Sequence, residues 1–225
     1  MSRVAAPLRE RVSNVLRQAI LDFELKPGQR LVERELIDRL QVSRATIRES
    51  LRELEAEGMV VVIPQRGAMV AKLSPTEQAD LYEARVAIES LVVRHFVERA
   101  TDDHIARLAE TIAELRRSTE AGRPIRELLA IKAQMYEVLI EGANSPVLTN
   151  LLSSLQARVS VLRATSLSQP DRPMQAVHEL ESMAEAIARR DKAAAVHHCA
   201  EHVQNAAKTG MTALNRATRA AEDAS

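Results

Sequence analysis

The segment from residue 42 to residue 52, VSRATIRESLR, gathers residue types suited to gripping a polyanion. Arg44 and Arg48 stand four apart, so on a helix they share a face, and both guanidinium groups can reach phosphates or a guanine edge. Ser43 and Thr46 add hydroxyls at the positive end of the same helix, where anions are favoured. Ile47, Leu51 and Leu54 leave a separate stripe to bury. An ordinary exposed helix face braced by Arg–Glu pairs would use similar residues, so the surrounding elements must decide.

A second kind of chemistry is suggested by cations on apolar stripes. Arg85 lies four after Leu81 and three before Ile88; Arg158 lies three after Leu155 and four before Leu162. A charge on such a stripe must be paired, hydrated or used for a ligand. For Arg85 the competing reading is an internal pair with Glu89. His95, His104, His197 and His198 fall on polar helix positions and read as surface. No His-Glu-x-x-His pair, glycine-rich phosphate loop or Ser/Cys nucleophile arrangement is present, which argues against an enzyme.

The elements that position the first set are legible. Periodic apolar residues from Leu8 to Phe23 predict a first helix over about residues 7–23, stopped by Lys26-Pro27-Gly28. A short helix over about residues 33–40, with Leu36 and Leu40 inward, leads through Gln41-Val42 to Ser43. Ser43 is placed to cap a third helix that Gly58 ends. Two β-branched runs, residues 60–63 and 68–70, flank Pro64-Gln65-Arg66-Gly67 as a hairpin. Three helices and a two-stranded hairpin in this order predict a winged helix-turn-helix over residues 1–72. Its third helix would enter the major groove by its N-terminal residues.

Ser74-Pro75 marks the next boundary, with Ser as cap and Pro at the first helical position. Six helices are predicted near residues 75–100, 102–120, 124–141, 145–166, 173–190 and 192–218, with residues 219–225 as a disordered tail. The fold class is mainly α: a winged helix-turn-helix followed by an all-helical bundle of six or seven helices over residues 75–218.

Composition sets the outer limits. Of 225 residues 46% are hydrophobic but only 2% aromatic, so the cores are aliphatic. Net charge is zero, yet residues 1–72 carry 13 Lys/Arg against 10 Asp/Glu and the remainder 18 against 21. The positive excess thus lies where a nucleic-acid partner needs it. A lone cysteine, Cys199, rules out an intrachain disulfide. With no signal-peptide pattern and no run of about 18 apolar residues, a cytoplasmic location and no membrane partner are expected.

Residues 25–70, LKPGQRLVERELIDRLQVSRATIRESLRELEAEGMVVVIPQRGAMV, resemble the DNA-binding domain of the GntR family of bacterial regulators. The carrying pieces are the L-x-P-G-x-x-L-x-E entry, VSR followed by IRE-x-L, L-E-A-E-G and the R-G-x-x-V wing. The resemblance implies DNA contacts from Arg34, Ser43, Arg44, Ala45, Thr46, Arg48, Arg66 and Gly67. Ala45 departs from the family's usual Thr and loses a hydroxyl. The resemblance also implies a homodimer, with repression as the expected mode, on a short palindromic operator of double-stranded DNA.

Residues 76–210 resemble the FCD subgroup of that family, through LYEARVAIES, YEVLIEGANSPVL and EAIARRDKAAA. Many of its members hold a divalent metal with one Asp and three His. By resemblance those positions fall on Lys132, Tyr136, Leu180 and His202, so only one ligand type survives and no metal or other cofactor is expected. Arg85, Lys132, Tyr136, Arg158 and His202 are then the candidates for binding a small organic acid that modulates operator affinity. Two alternatives stand beside this reading: a metal-dependent sensor using His178 and His202, and a DNA-binding protein with no effector.

Overall fold

The computed structural model of the chain describes residues 8–222, with side chains described except at residues 156, 157 and 214–222. The chain divides into two units between Leu73 and Ser74. In the first, α1 (Leu8–Leu21) buries Val12, Leu16 and Ile20 at four-residue steps. Phe23 in the left-handed region turns the chain after it. The predicted first helix is thus two residues shorter at its C-terminal end, and Pro7 lies outside the described residues. α2 (Glu33–Leu40) ends on a left-handed Gln41, and α3 (Arg44–Ala56) starts on the Ser43 cap. Ile47, Leu51 and Leu54 of α3 are buried. Arg17 of α1 holds Glu57 at 2.6 Å, and Ser13 donates to Glu53 at 2.9 Å, fastening α1 to the C-terminal part of α3.

β1 (Val60–Ile63) and β2 (Gly67–Val70) pair antiparallel, with Ile63 opposite Gly67 and Val60 opposite Val70. Gly67 has φ +82°, a conformation that a Cβ would strain, and Gln65 beside it is also left-handed. The approach to α2 runs along the free edge of β2: Leu31 N–H donates to Ala68 O at 2.8 Å and Gly28 N–H to Val70 O at 3.0 Å. The wing is therefore covered on one edge by the Pro-Gly turn that stopped α1.

The second unit is a bundle of α4 (Pro75–Arg99), α5 (Asp102–Glu120), α6 (Ile125–Ala143), α7 (Pro146–Leu167), α8 (Arg172–Ala188) and α9 (Lys192–Glu222). Ser74 and Glu77 form a reciprocal capping box at the start of α4. His104, expected as plain surface, instead closes a similar box with Thr101 at the start of α5. α9 runs through residues 219–222, where a disordered tail was expected; residues 223–225 lie outside the described set. α4 packs on α6 and α9, and α8 on α5 and α9. Phe96, Met135, Leu139, Leu180, Met183 and Ile187 centre the aliphatic core. Gly142 lets α6 close onto α4, because a Cβ there would run into the Phe96 ring. Among the described residues no helix is long and apolar enough to cross a membrane.

Candidate functional site

Two polar constellations stand out, one in each unit. In the first, Ser43 accepts from the Thr46 N–H at 3.1 Å, and the two hydroxyls lie 2.9 Å apart. This cap orders the first turn of α3 and sets Ser43, Arg44, Ala45, Thr46 and Arg48 together at one helix end. Ser43, Arg44, Ala45 and Arg48 are exposed, and Thr46 is half-buried. Arg34 is exposed on α2; Arg66 is exposed in the turn between the strands and Gly67 opens β2. Sequence reasoning missed Glu33. Its carboxylate accepts from Arg48 Nε at 2.8 Å and lies 4.0 Å from Arg44 Nε, so it gathers both guanidinium groups over the start of α2. Both arginines stay more than half exposed, so this ion pair is weak and readily exchanged for another anion.

The second constellation is inside the bundle. Arg85 and Glu89, 1% and 2% exposed, pair at 2.9 Å along α4. Tyr136 donates to the other Glu89 oxygen at 2.6 Å, and Arg163 of α7 reaches Glu89 at 3.3 Å while stacking 3.8 Å over the Tyr136 ring. Burial pushes the Glu89 carboxyl up, but Arg85, Arg163 and the Tyr136 hydroxyl outweigh it and bring its pKa to about 2. Tyr136 itself is held protonated by burial.

A second chain of contacts runs through α8 and α9. Glu179 accepts from Arg172 at 2.8 Å, from Asn205 at 2.9 Å and from His202 Nδ1 at 2.6 Å. Its pKa, raised by burial, is drawn down to about 2 by His202 and Arg172. With that carboxylate ionised, His202 carries its proton on Nδ1, and Nε2 is left to accept from Lys132 Nζ at 3.1 Å. Burial above all lowers the His202 pKa to about 3, so the ring is neutral. Lys132, 2% exposed, is pushed well below the usual amine range by burial and by Arg163, Arg85 and Arg172.

The interior carries more positive than negative charge. Arg85, Arg163 and Arg172 face two carboxylates, Glu89 and Glu179. Among the described residues five guanidinium nitrogens have no partner: Nη1 and Nη2 of Arg85, Nε of Arg163, and Nε and Nη1 of Arg172. Unpartnered buried donors are costly, and an anion would satisfy them. Both readings of Arg85 are thus partly met, since its Nε pairs with Glu89 while its two terminal nitrogens do not.

Space lies alongside. A groove of about 320 Å³ between α6 and α7 is lined by Tyr136, Ile140, Thr149, Leu152, Val159 and Arg163. Beside it, a small cavity of about 10 Å³ touches Glu89, Tyr136, Leu152, Cys199 and His202, with room for about one water. Tyr136 and Leu152 line both spaces and form the partition.

Of the expected interior residues, Arg85, Lys132, Tyr136 and His202 do come together. Arg158 does not: it is exposed. α7 is apolar on several faces, and its buried stripe runs through Leu148, Leu152, Val159 and Leu162 rather than Leu155. That turns Arg158 outward and Arg163 inward. Arg172 was hidden by its setting, QPDRP, which reads as a loop although α8 begins there. His178 is exposed and stands apart from this cluster.

The interior does not fit a divalent metal. Leu180 offers no donor atom, Tyr136 is engaged with Glu89, and Lys132 occupies the free nitrogen of His202. Three further guanidinium groups would repel a cation. Among the described residues, no three His, Cys, Asp or Glu side chains converge as metal ligands.

Comparison with known proteins agrees with these two halves. Residues 8–70 match the bacterial regulatory proteins of the gntR family, and residues 80–205 match the FCD domain. The HTH-type transcriptional regulator YdhC of Bacillus subtilis is 24% identical over 189 residues, 84% of either chain. The HTH-type transcriptional repressor RspR of Escherichia coli is 24% identical over 198 residues, 88% of this chain and 86% of its own. The solved structure of E. coli McbR/YncC shares the fold with a TM-score of 0.73 at 22% identity, covering 88% of this chain and 94% of its own. These relatives are transcription regulators and not enzymes. The chain belongs to the gntR family of bacterial regulatory proteins, as a DNA-binding transcription regulator whose second half is an FCD domain.

Proposed function

We propose that the chain is a homodimeric cytoplasmic repressor whose affinity for a palindromic operator is set by a small organic acid held inside the α4–α9 bundle. The observation that carries the effector reading is the set of five unpartnered guanidinium nitrogens in an interior with surplus positive charge. A carboxylate supplies two acceptor oxygens in the planar geometry that guanidinium groups prefer. Arg85, Arg163 and Arg172 are its anchors, Lys132, Tyr136 and His202 its polar wall, and the α6–α7 groove its way in. No metal is required for this. Repression is the mode named for RspR and is carried to this chain as part of the proposal.

DNA is read by Ser43, Arg44, Thr46 and Arg48 from the end of α3, with Ala45 against the groove. Arg34 serves the phosphate backbone, and Arg66 with Gly67 serves the wing. Binding of the acid shifts the population between dimer arrangements that space the two α3 helices differently.

Thermal unfolding against a panel of mono-, di- and sugar carboxylic acids tests the effector reading. An acid that binds only the folded state at 100 times its Kd stabilises it by about 2.7 kcal/mol. A carboxylate should therefore raise the melting temperature while its amide does not. Indifference to the whole panel would overturn the reading.

A further inference from the structure

Lys132 differs from every other lysine of the chain. Lys26, Lys72, Lys192 and Lys208 are exposed, whereas Lys132 is 2% exposed. It forms no ion pair among the described residues, and its one hydrogen-bond partner is the neutral His202 Nε2 at 3.1 Å. Both nearby carboxylates are already committed, Glu89 to Arg85, Arg163 and Tyr136, and Glu179 to Arg172, His202 and Asn205. An amine without a counter-ion, desolvated and crowded by cations, keeps its lone pair, and such lysines act as nucleophiles towards carbonyl groups.

Lys132 also lies one helical turn from Tyr136, which lines the α6–α7 groove. Arg163 lines the same groove, and Arg85 and Arg172, whose charges bear on Lys132, carry guanidinium nitrogens without a partner.

We propose that Lys132 captures a 2-oxo acid as an imine, with the acid's carboxylate held by the unpartnered nitrogens of Arg85 and Arg172. The inference rests on the organic-acid reading above and names its chemical class. The Nζ lone pair forms a bond to the keto carbon, and the carbonyl π electrons go to oxygen. One Nζ proton passes by way of His202 Nε2 to that oxygen, giving a carbinolamine. Loss of the second Nζ proton and of the hydroxyl group as water forms the C=N bond. The sum is amine plus ketone giving imine plus water, with no oxidant or reductant. The exchange reverses on hydrolysis, as a sensor requires.

Borohydride trapping tests this on the full-length protein. With pyruvate, 2-oxobutyrate or 2-oxoglutarate as probe, reduction should leave a stable secondary amine. The protein mass then rises by the oxo acid less one oxygen atom, and peptide mapping places the addition on Lys132. The four exposed lysines are internal controls and should be modified at least tenfold less. Lactate, which has no keto group, should give no adduct. Lys132→Met should lose the adduct; if that variant fails to fold, the peptide map of the wild-type chain decides alone. Thermal shift is recorded in the same samples. A shift by oxo acids without an adduct on Lys132 overturns the imine and leaves the organic-acid reading standing, while no shift and no adduct overturns both.

Discussion

Glu89 shows how one residue can hold a charged interior together. It accepts from Arg85, Arg163 and Tyr136 while its own side chain is buried. Removing one member of such a group strands the others, so Glu89→Ala should cost about 3–5 kcal/mol in urea unfolding. An unchanged midpoint would contradict the network. His202 gives a pH signature. Its folded pKa, about 3, lies below the ordinary 6.5, so the unfolded chain takes up the proton first as pH falls. Its contribution to stability is complete above about pH 6.5 and is lost progressively towards pH 3. Glu89 and Glu179, at about 2, add losses below about pH 4.5 in the same direction. The unfolding free energy should therefore drop by a few kcal/mol, to order of magnitude, between pH 7 and 4. His202→Gln should flatten the upper part of that slope.

At the scale of elements, what was legible in the sequence followed local chemistry. Ser43 and Ser74 announced their helices because a cap is a contact within four residues. The hairpin and the recognition segment were legible for a similar reason, since turn residues and periodic stripes sit side by side in the chain. The interior of the bundle was half legible. Arg85 betrays itself by breaking a clear stripe on α4, but α7 has no single apolar face to fix its rotation, so the spacing points Arg158 inward where the structure places Arg163. Glu33 acts through arginines of α3, and Arg172 and Glu179 pair seven residues apart on α8 and reach His202 on α9, so no local pattern marks them. Two element-level outcomes follow. Gly142→Ala should destabilise the bundle by about 1–3 kcal/mol through its clash with Phe96, measured by thermal or urea unfolding. On α3, Arg44→Ala with Arg48→Ala should abolish operator binding with helical circular dichroism unchanged. Glu33→Ala should do the reverse and tighten DNA binding several-fold at low salt, because phosphates no longer compete with a carboxylate for those arginines.

The whole molecule combines a DNA-binding unit with a positive excess and a bundle that is net negative yet has an unsatisfied cationic interior. Neither half alone explains the other. A gntR-family DNA-binding domain needs no buried arginine cluster, and a bundle that merely dimerised would be better served by an apolar core. The coupling proposed between them is the claim most open to direct measurement. Operator DNA selected by the protein from a random pool is titrated at one fixed salt concentration, with and without the acid that raises the melting temperature. The account predicts an affinity change of about 5–150-fold, with the acid binding more weakly to the DNA-bound protein by the same factor. Identical titration curves in the presence of a saturating, stabilising acid would contradict it.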